Sequence, residues 1–306
     1  MYEEKKDIPA EFFLEEKRCD YIVTDDMKKI WAIEIDLLQK LLQVCEKHNI
    51  KIFASGGTML GAIRHKGMIP WDNDIDMMMF REDFDRLLEV AEKEFEHPYF
   101  LQTEYNDMGS LRGHAQLRNT ETTAILQSEN YGFRFNQGIF LDIFPLDSVI
   151  EDKKLFEKQY KEAMKYRKLA RAYASFSTRY FKREKEGIKG FIVNTFHSLA
   201  NKVITKWDLE RKAYAKFENT CKKYNHIKTE KISTLSLEFN NSQHFKYRND
   251  FEKIIYVPFE YIQIPIGSEY DHILSTRYGN YMEFVKGGSV HGDIIFDVDK
   301  PYTEYV

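Results

Sequence analysis

Apolar positions first recur at helical spacing after Asp25, where Ile30, Ile33, Leu37, Leu38, Leu41, Val44 and Cys45 return every three or four residues. That period predicts an amphipathic helix capped by Thr24 or Asp25 and ended by Asn49, with residues 1–24 as a leader or packing arm. The period then shortens. Residues 51–54 predict a strand, Gly56-Gly57 a turn, residues 58–66 a short helix stopped by Gly67, and residues 74–80 a second strand. Helical spacing returns over residues 83–95, with Phe84, Leu87, Leu88, Ala91 and Phe95 on one face. Residues 99–103, 114–118 and 122–126 predict strands, with a turn at 119–121. Residues 138–146, GIFLDIFPL, predict a strongly apolar strand with one charge, Asp142.

Helical patterns dominate residues 151–250. Strand patterns come back over 254–266, followed by a helix over 268–278 with Ser268 as cap and Gly279 as stop, and a loop-like tail. The order predicts an α/β (α+β) fold: a core with a mixed sheet over 1–150, a helical, basic subdomain over 151–250, and a segment over 251–306 that returns to the core.

Composition narrows the class. Hydrophobic residues make up 43% and charged residues 31%, which fits a folded chain rather than a disordered one. A net charge of -4 gives no nucleic-acid footprint. Cys19, Cys45 and Cys221 lie far apart with no CxxC pair, which argues against a disulfide framework and for a reducing compartment. The charged start MYEEKKDIPAEFF lacks the apolar core of a signal peptide, so the expected location is cytoplasmic. Against the acidic average, residues 165–206 are basic and rich in aromatic and aliphatic positions. Two readings stay open for them: a helical subdomain with a solvated basic face, or a peripheral contact with an anionic membrane.

The chemistry concentrates in residues 55–80, SGGTMLGAIRHKGMIPWDNDIDMMMF. Asp72, Asp74 and Asp76 alternate, and alternate strand residues share a face. Carboxylates that close repel unless a hard cation lies between them, and Mg²⁺ or Mn²⁺ accepts oxygen ligands while keeping room for phosphates. The Gly56-Gly57 turn and Thr58 offer backbone N–H groups and a hydroxyl to phosphate oxygens, and Arg64 offers a guanidinium. Asp142 is costly to bury without a partner, and a metal held by Asp74 and Asp76 would be one. Asp72 reads as structural or solvated. Trp71, Tyr131, Phe133, Phe135 and Phe140 read either as core or as a cage for a quaternary ammonium. His65 and His114 lie near the motifs, and no histidine spacing suits zinc. Glycine turn, acidic strand and later carboxylate, in this order, resemble the layout of DNA polymerase β-like nucleotidyltransferases.

At finer grain, GGTMLGAIRHKGMIPWDNDIDMMM, GIFLDIFPLD and RYGNYM resemble the LicD family, which includes the catalytic domains of fukutin and fukutin-related protein. The resemblance runs over about residues 30–150 and resumes over about 254–306. It implies Mg²⁺-dependent transfer of phosphocholine from CDP-choline to a sugar hydroxyl of a teichoic acid or other cell-surface glycan, with release of CMP. Glycerol- or ribitol-phosphate from their CDP donors, a nucleotidyltransferase reaction and a DxD glycosyltransferase are the alternatives. It also implies metal and catalytic roles for Asp74, Asp76 and Asp142, phosphate contacts at Gly56, Gly57 and Thr58, and an acceptor that can be lipid-linked. The tail departs from the family pattern, lacking the prolines expected after the Tyr-Gly motif.

Overall fold

The computed structural model describes residues 6–107, 109–126, 135–177, 188–240, 242–285 and 294–305. Helix α1 (Asp25–Lys47) begins where its cap predicts, the Thr24 hydroxyl accepting from the Met27 N–H at 3.2 Å. The leader before it is structured. A 3-10 turn at Ala10–Phe13 leads into strands β1 (Glu16–Arg18) and β2 (Tyr21–Val23), paired antiparallel. Three-residue strands are too short to show a period, and this hairpin is held from afar by Arg18, which pairs with Glu260 at 2.6 Å.

The centre is a mixed seven-stranded sheet, as the α+β reading predicts. Its strands begin with β3 (Phe53–Ala54), β4 (Asp76–Phe80), β5 (Tyr99–Gln102) and β6 (Ala115–Asn119). Strand β7 (Thr123–Leu126) lies outside this sheet, and β8 (Ile139–Ser148) is its axis. Strand β8 pairs parallel with β4 along one edge and antiparallel with β6 along the other, and β5 extends β6. All of β8 except Phe144 is buried, which is why its sequence is apolar apart from Asp142, Asp147 and Ser148. Helices α2 (Gly56–His65) and α3 (Arg81–Glu94) flank β4, and α1 packs on β8 and β6.

Helices α4 (Lys153–Ser177), α5 (Ile188–Trp207) and α6 (Leu209–Cys221) form the helical addition. Ala163, Ala170 and Ala213 keep α4 and α6 close around Phe217 and Cys221. The chain rejoins the sheet earlier than its pattern suggests: β9 (Lys231–Ser233) pairs with the end of β8, and β10 (Lys246–Tyr247) pairs with β9, with the short α7 (Leu235–Glu238) between them. Strands β11 (Ile254–Phe259) and β12 (Ile262–Gly267) form a hairpin. Helix α8 (Tyr270–Tyr278) has Glu269, not Ser268, at its N-cap, and stops at Gly279, whose φ is +64°. The tail is not all loop, because β13 (Ile294–Asp297) pairs with β7.

Two local expectations change. The left-handed residue that ends α2 is Lys66, while Gly67 is required by contact: a Cβ there would lie 2.1 Å from Glu260 Oε1. The acidic strand also starts late. Only Asp76 of the three alternating aspartates lies in β4, because β3 and β8 offer ladder partners from Asp76 onward and Asp72 and Asp74 precede them.

Candidate active site

The glycine turn is stitched to the start of β4. Ser55 N–H donates to Asp76 O at 2.9 Å, and Asp76 N–H donates to the Thr58 hydroxyl at 2.8 Å. Gly56 holds a φ of +49°, and a Cβ there would sit 3.2 Å from Asp76 Oδ2. A Cβ at Gly57 would sit 2.7 Å from Asp72 Oδ2. The missing side chains thus let two carboxylates approach the N-terminus of α2, whose dipole and unpaired N–H groups favour negative charge. From α1, Trp31 Nε1 donates to Asp72 O at 2.9 Å and fixes the loop that carries the aspartates.

Asp142 is the register partner of Asp76 across the parallel β4–β8 pairing and of Gln116 across the other edge. Gln116 Nε2 donates to Asp142 Oδ1 at 2.6 Å, and His114 Nε2 lies 3.1 Å from the same oxygen. Arg118 sets the Gln116 amide, donating to its Oε1 at 2.5 Å while also donating to Gln102 and to Gly138 O. For Asp142, burial acts to raise the pKa but is outweighed by His114, Gln116 and Arg112, so the group is held below the usual carboxylate range. Asp76 goes the other way. Burial, then Asp74, Asp142 and Asp72, push it well above that range, with Arg277 opposing.

A further carboxyl joins them. Glu34 lies one turn beyond Trp31 on α1, is 1% exposed, and its Oε2 has no hydrogen-bond partner among the described residues. Burial and then Asp74, Asp72, Asp142 and Asp76 push it well above its ordinary value. Among the described residues no three acidic, His or Cys side chains converge in metal-ligand geometry. The donor set nonetheless suits a hard cation: all oxygen, crowded, and carrying mutual repulsion that such an ion relieves.

Cations approach from the C-terminal part of the chain. Arg277 acts on Asp76 from the end of α8, and Lys246 on β10 lies 3.7 Å from Glu238 and within the field of both Arg277 and Asp76. Arg64 is not brought to the turn. It lies eight residues along α2 from Gly56, about 12 Å at 1.5 Å per residue. Its Nη1 donates to Tyr281 O and Glu283 O, both at 3.0 Å, and its Nε to His65 Nε2 at 3.0 Å. Arg64 therefore straps the segment after α8 onto α2. The three described aromatics of the five expected for a cage do not gather into one either. Phe135 and Phe140 are buried beneath the guanidinium groups of Arg112 and Arg118, and Trp71 packs edge-on against Tyr21 and His65. Tyr131 and Phe133 lie outside the described residues.

Sequence pattern passes over Glu34, Gln116, Lys246 and Arg277 as site residues. Glu34 leaves one trace: it is an acid at a helical phase shared with Ile30, Leu37, Leu38 and Leu41. Gln116 leaves none, since an amide in a strand is ordinary. Arg277 sits in the RYGNYM run, but nothing local ties that run to the aspartates.

A mixed sheet with a carboxylate pair facing across parallel strands, beside a glycine turn that opens a helix, is the arrangement of a nucleotidyltransferase domain. Residues 49–183 match the family model described as LicD/FKTN/FKRP, nucleotidyltransferase domain. Over those residues the chain is similar to the LicD family. It is 27% identical over 264 residues to lipopolysaccharide cholinephosphotransferase LicD of Haemophilus influenzae, a match covering 84% of this chain and 93% of that protein. It is also 39% identical over 69 residues to an uncharacterized protein of Rickettsia prowazekii, 22% of this chain and 24% of that one. An uncharacterized protein of Rickettsia typhi is 43% identical over 47 residues, 15% of each chain.

Proposed function

We propose that the chain transfers phosphocholine from CDP-choline to a sugar hydroxyl of a cell-surface glycan and releases CMP. The observation that carries this reading is the register pairing of Asp76 with Asp142 beside the N-terminus of α2. The likeness to the Haemophilus cholinephosphotransferase across most of both chains supports the choice of group. The sugar oxygen attacks the phosphorus that bears choline. A new P–O bond forms, the bond to CMP breaks, and the hydroxyl proton passes to a nearby carboxylate or to water.

In this reading Asp74, Asp76 and Asp142 would hold Mg²⁺, which would neutralise charge on the donor phosphates. Asp142 serves as ligand rather than base, because His114 and Gln116 stabilise its ionised form. Gly56 and Gly57 offer N–H groups to the diphosphate, and Thr58 keeps its hydroxyl proton to donate while accepting from Asp76 N–H. Arg64 is left out, since its donors hold the C-terminal strap. Teichoic acid and lipopolysaccharide are both glycan acceptors of the right kind, and a cytoplasmic site of action at the inner membrane face suits a lipid-linked one.

The test is CMP release from CDP-choline by the wild type, Asp76→Asn and Asp142→Asn. Wild-type rates in both variants would sink the assignment. A second readout needs no turnover: Mg²⁺ at about a hundredfold excess over its Kd should stabilise the wild type by about 2.7 kcal/mol and leave Asp76→Asn nearly unmoved. The burial of Phe135 and Phe140 beneath Arg112 and Arg118 favours a second reading, the same chemistry on CDP-glycerol or CDP-ribitol. Competition among the three donors separates them. Release of pyrophosphate, UDP or GDP instead of CMP would point to a nucleotidyltransferase or glycosyltransferase reaction.

A further inference from the structure

Helix α5 carries an apolar stripe whose side chains are all more than half exposed, although the Phe196 ring meets that of Phe176 on α4 edge-on at 6.3 Å. Ile192, Phe196, Leu199, Val203 and Trp207 are 60%, 62%, 58%, 53% and 58% exposed. Their spacing of four, three, four and four residues places them within about 80° of the helix circumference, along about 22 Å of its length. The closer packing is on a neighbouring face of the same helix: Ile204 is buried, and the His197 ring lies 4.8 Å from that of Phe176 on α4. The stripe is therefore not the inner side of the helical addition. Large apolar side chains gathered in one exposed row mark a contact surface, whereas scattered ones do not.

Charge selects the occupant. From Ile188 to Trp207 there is no Asp or Glu, in a chain whose net charge is -4. Lys202 and Lys206 border the stripe on the side away from the packed face, and both are exposed. Among the described residues no helix is long and apolar enough to cross a membrane. An acid-free helix with a 20-residue length, an apolar row and a lysine border lies in the plane of an anionic lipid surface. The rest of the basic region contributes less than its composition suggests. Arg167 is half-buried, its guanidinium 5.8 Å from the Phe217 ring inside the α4–α6 packing.

We propose that α5 is a peripheral membrane anchor, seating Phe196, Leu199, Val203 and Trp207 among the acyl chains of an anionic leaflet with Lys202 and Lys206 on its headgroups. The proposal is independent of the transferase reading, since it concerns a surface made only of α5. It would deliver a lipid-linked acceptor to the enzyme without any residue of the active site.

The experiment is co-sedimentation of the full chain with phosphatidylcholine vesicles, with and without phosphatidylglycerol, alongside CMP release from CDP-choline in free solution. The wild type should pellet with the anionic vesicles and much less with the neutral ones. Leu199→Asp with Trp207→Ser should lower the vesicle partition coefficient at least tenfold. Lys202→Glu with Lys206→Glu should do so through charge, at roughly fivefold per lysine. All these side chains are exposed, so thermal midpoints and CMP release in solution should match the wild type. Failure of the wild type to pellet, or equal pelleting of the stripe variants, overturns the anchor and leaves the transferase test untouched. Light scattering that shows a dimer dispersed by Leu199→Asp would instead assign the stripe to a second copy of the chain, which also overturns it.

Discussion

Gln116 donates to Asp142 at 2.6 Å from the edge of β8 opposite the one that faces Asp76. A single strand thus receives its acidic neighbour on one side and the group that orients its own carboxylate on the other. Gln116→Met should remove that orientation. Activity should fall about 10–100-fold, the range for loss of a partner that aims a metal-binding carboxylate. Stability should fall by about 1–3 kcal/mol, because Arg118 loses an acceptor in a buried place. CMP release and urea denaturation of the same preparation check this, and a stability loss with normal kcat would remove the orienting role.

The two glycines should fail differently. Gly56→Ala forces a Cβ into a φ of +49° and against Asp76, so it should cost about 1–2 kcal/mol and displace a site carboxylate. Gly57→Ala is crowded by the far end of Asp72, which can swing away, and meets Ile69 at an ordinary contact distance, so stability should hardly change. Comparing CMP release in the two variants decides whether Asp72 takes part: normal turnover in Gly57→Ala makes it a spectator.

Arg81 ties the helical addition to the core. It meets Asp147 through two bonds of 2.9 and 3.0 Å and Glu218 of α6 at 3.0 Å, while Asn225 donates to Asp147 at 2.8 Å. Arg81 is 4% exposed and Asp147 fully buried, so removing one partner strands the other's charge. Arg81→Met should destabilise by about 3–5 kcal/mol by chemical denaturation. The double variant Arg81→Met, Asp147→Leu should cost clearly less than the sum of its single variants, since they share one network.

His65 makes the fold sensitive to acid. Its Nε2 accepts from Arg64 Nε, which requires the neutral ring, and burial followed by Arg64 and Arg18 pushes its pKa down to about 4 from 6.5. Between those values the unfolded chain binds more protons than the folded one. Stability is therefore full above the upper value and falls as pH drops through the window. His65→Gln keeps an acceptor for Arg64 without titrating. Thermal midpoints at about pH 7 and about pH 4.5 should fall less in this variant than in the wild type.

How much was legible follows from the range of each signal. The period of α1 and its Thr24 cap and the long run of β8 are local, and each appears where its residues predict, whereas Gly56 and Gly57 open helix α2 itself rather than forming a turn before it. The short strands β9, β10 and β13 are not local, because two to four residues carry no period and their partners lie far along the chain. Asp76 and Asp142 were visible as charges within apolar strands, and Asp74 as the acid two residues before the first of them. Glu34, Gln116 and Arg277 were invisible as a group, since their only link is a common destination.

The sequence alone therefore offered the candidates: a set of carboxylates, a pair of glycines, and an order that resembles the LicD family. Only the tertiary structure decided the company they keep. It put Asp76 opposite Asp142, took Arg64 away to hold the C-terminal segment, and brought Glu34 in from a helix that reads as plain core. The physical reason is that local pattern encodes which face of an element is buried. What that face is buried against is set by strand register and helix packing across the whole chain.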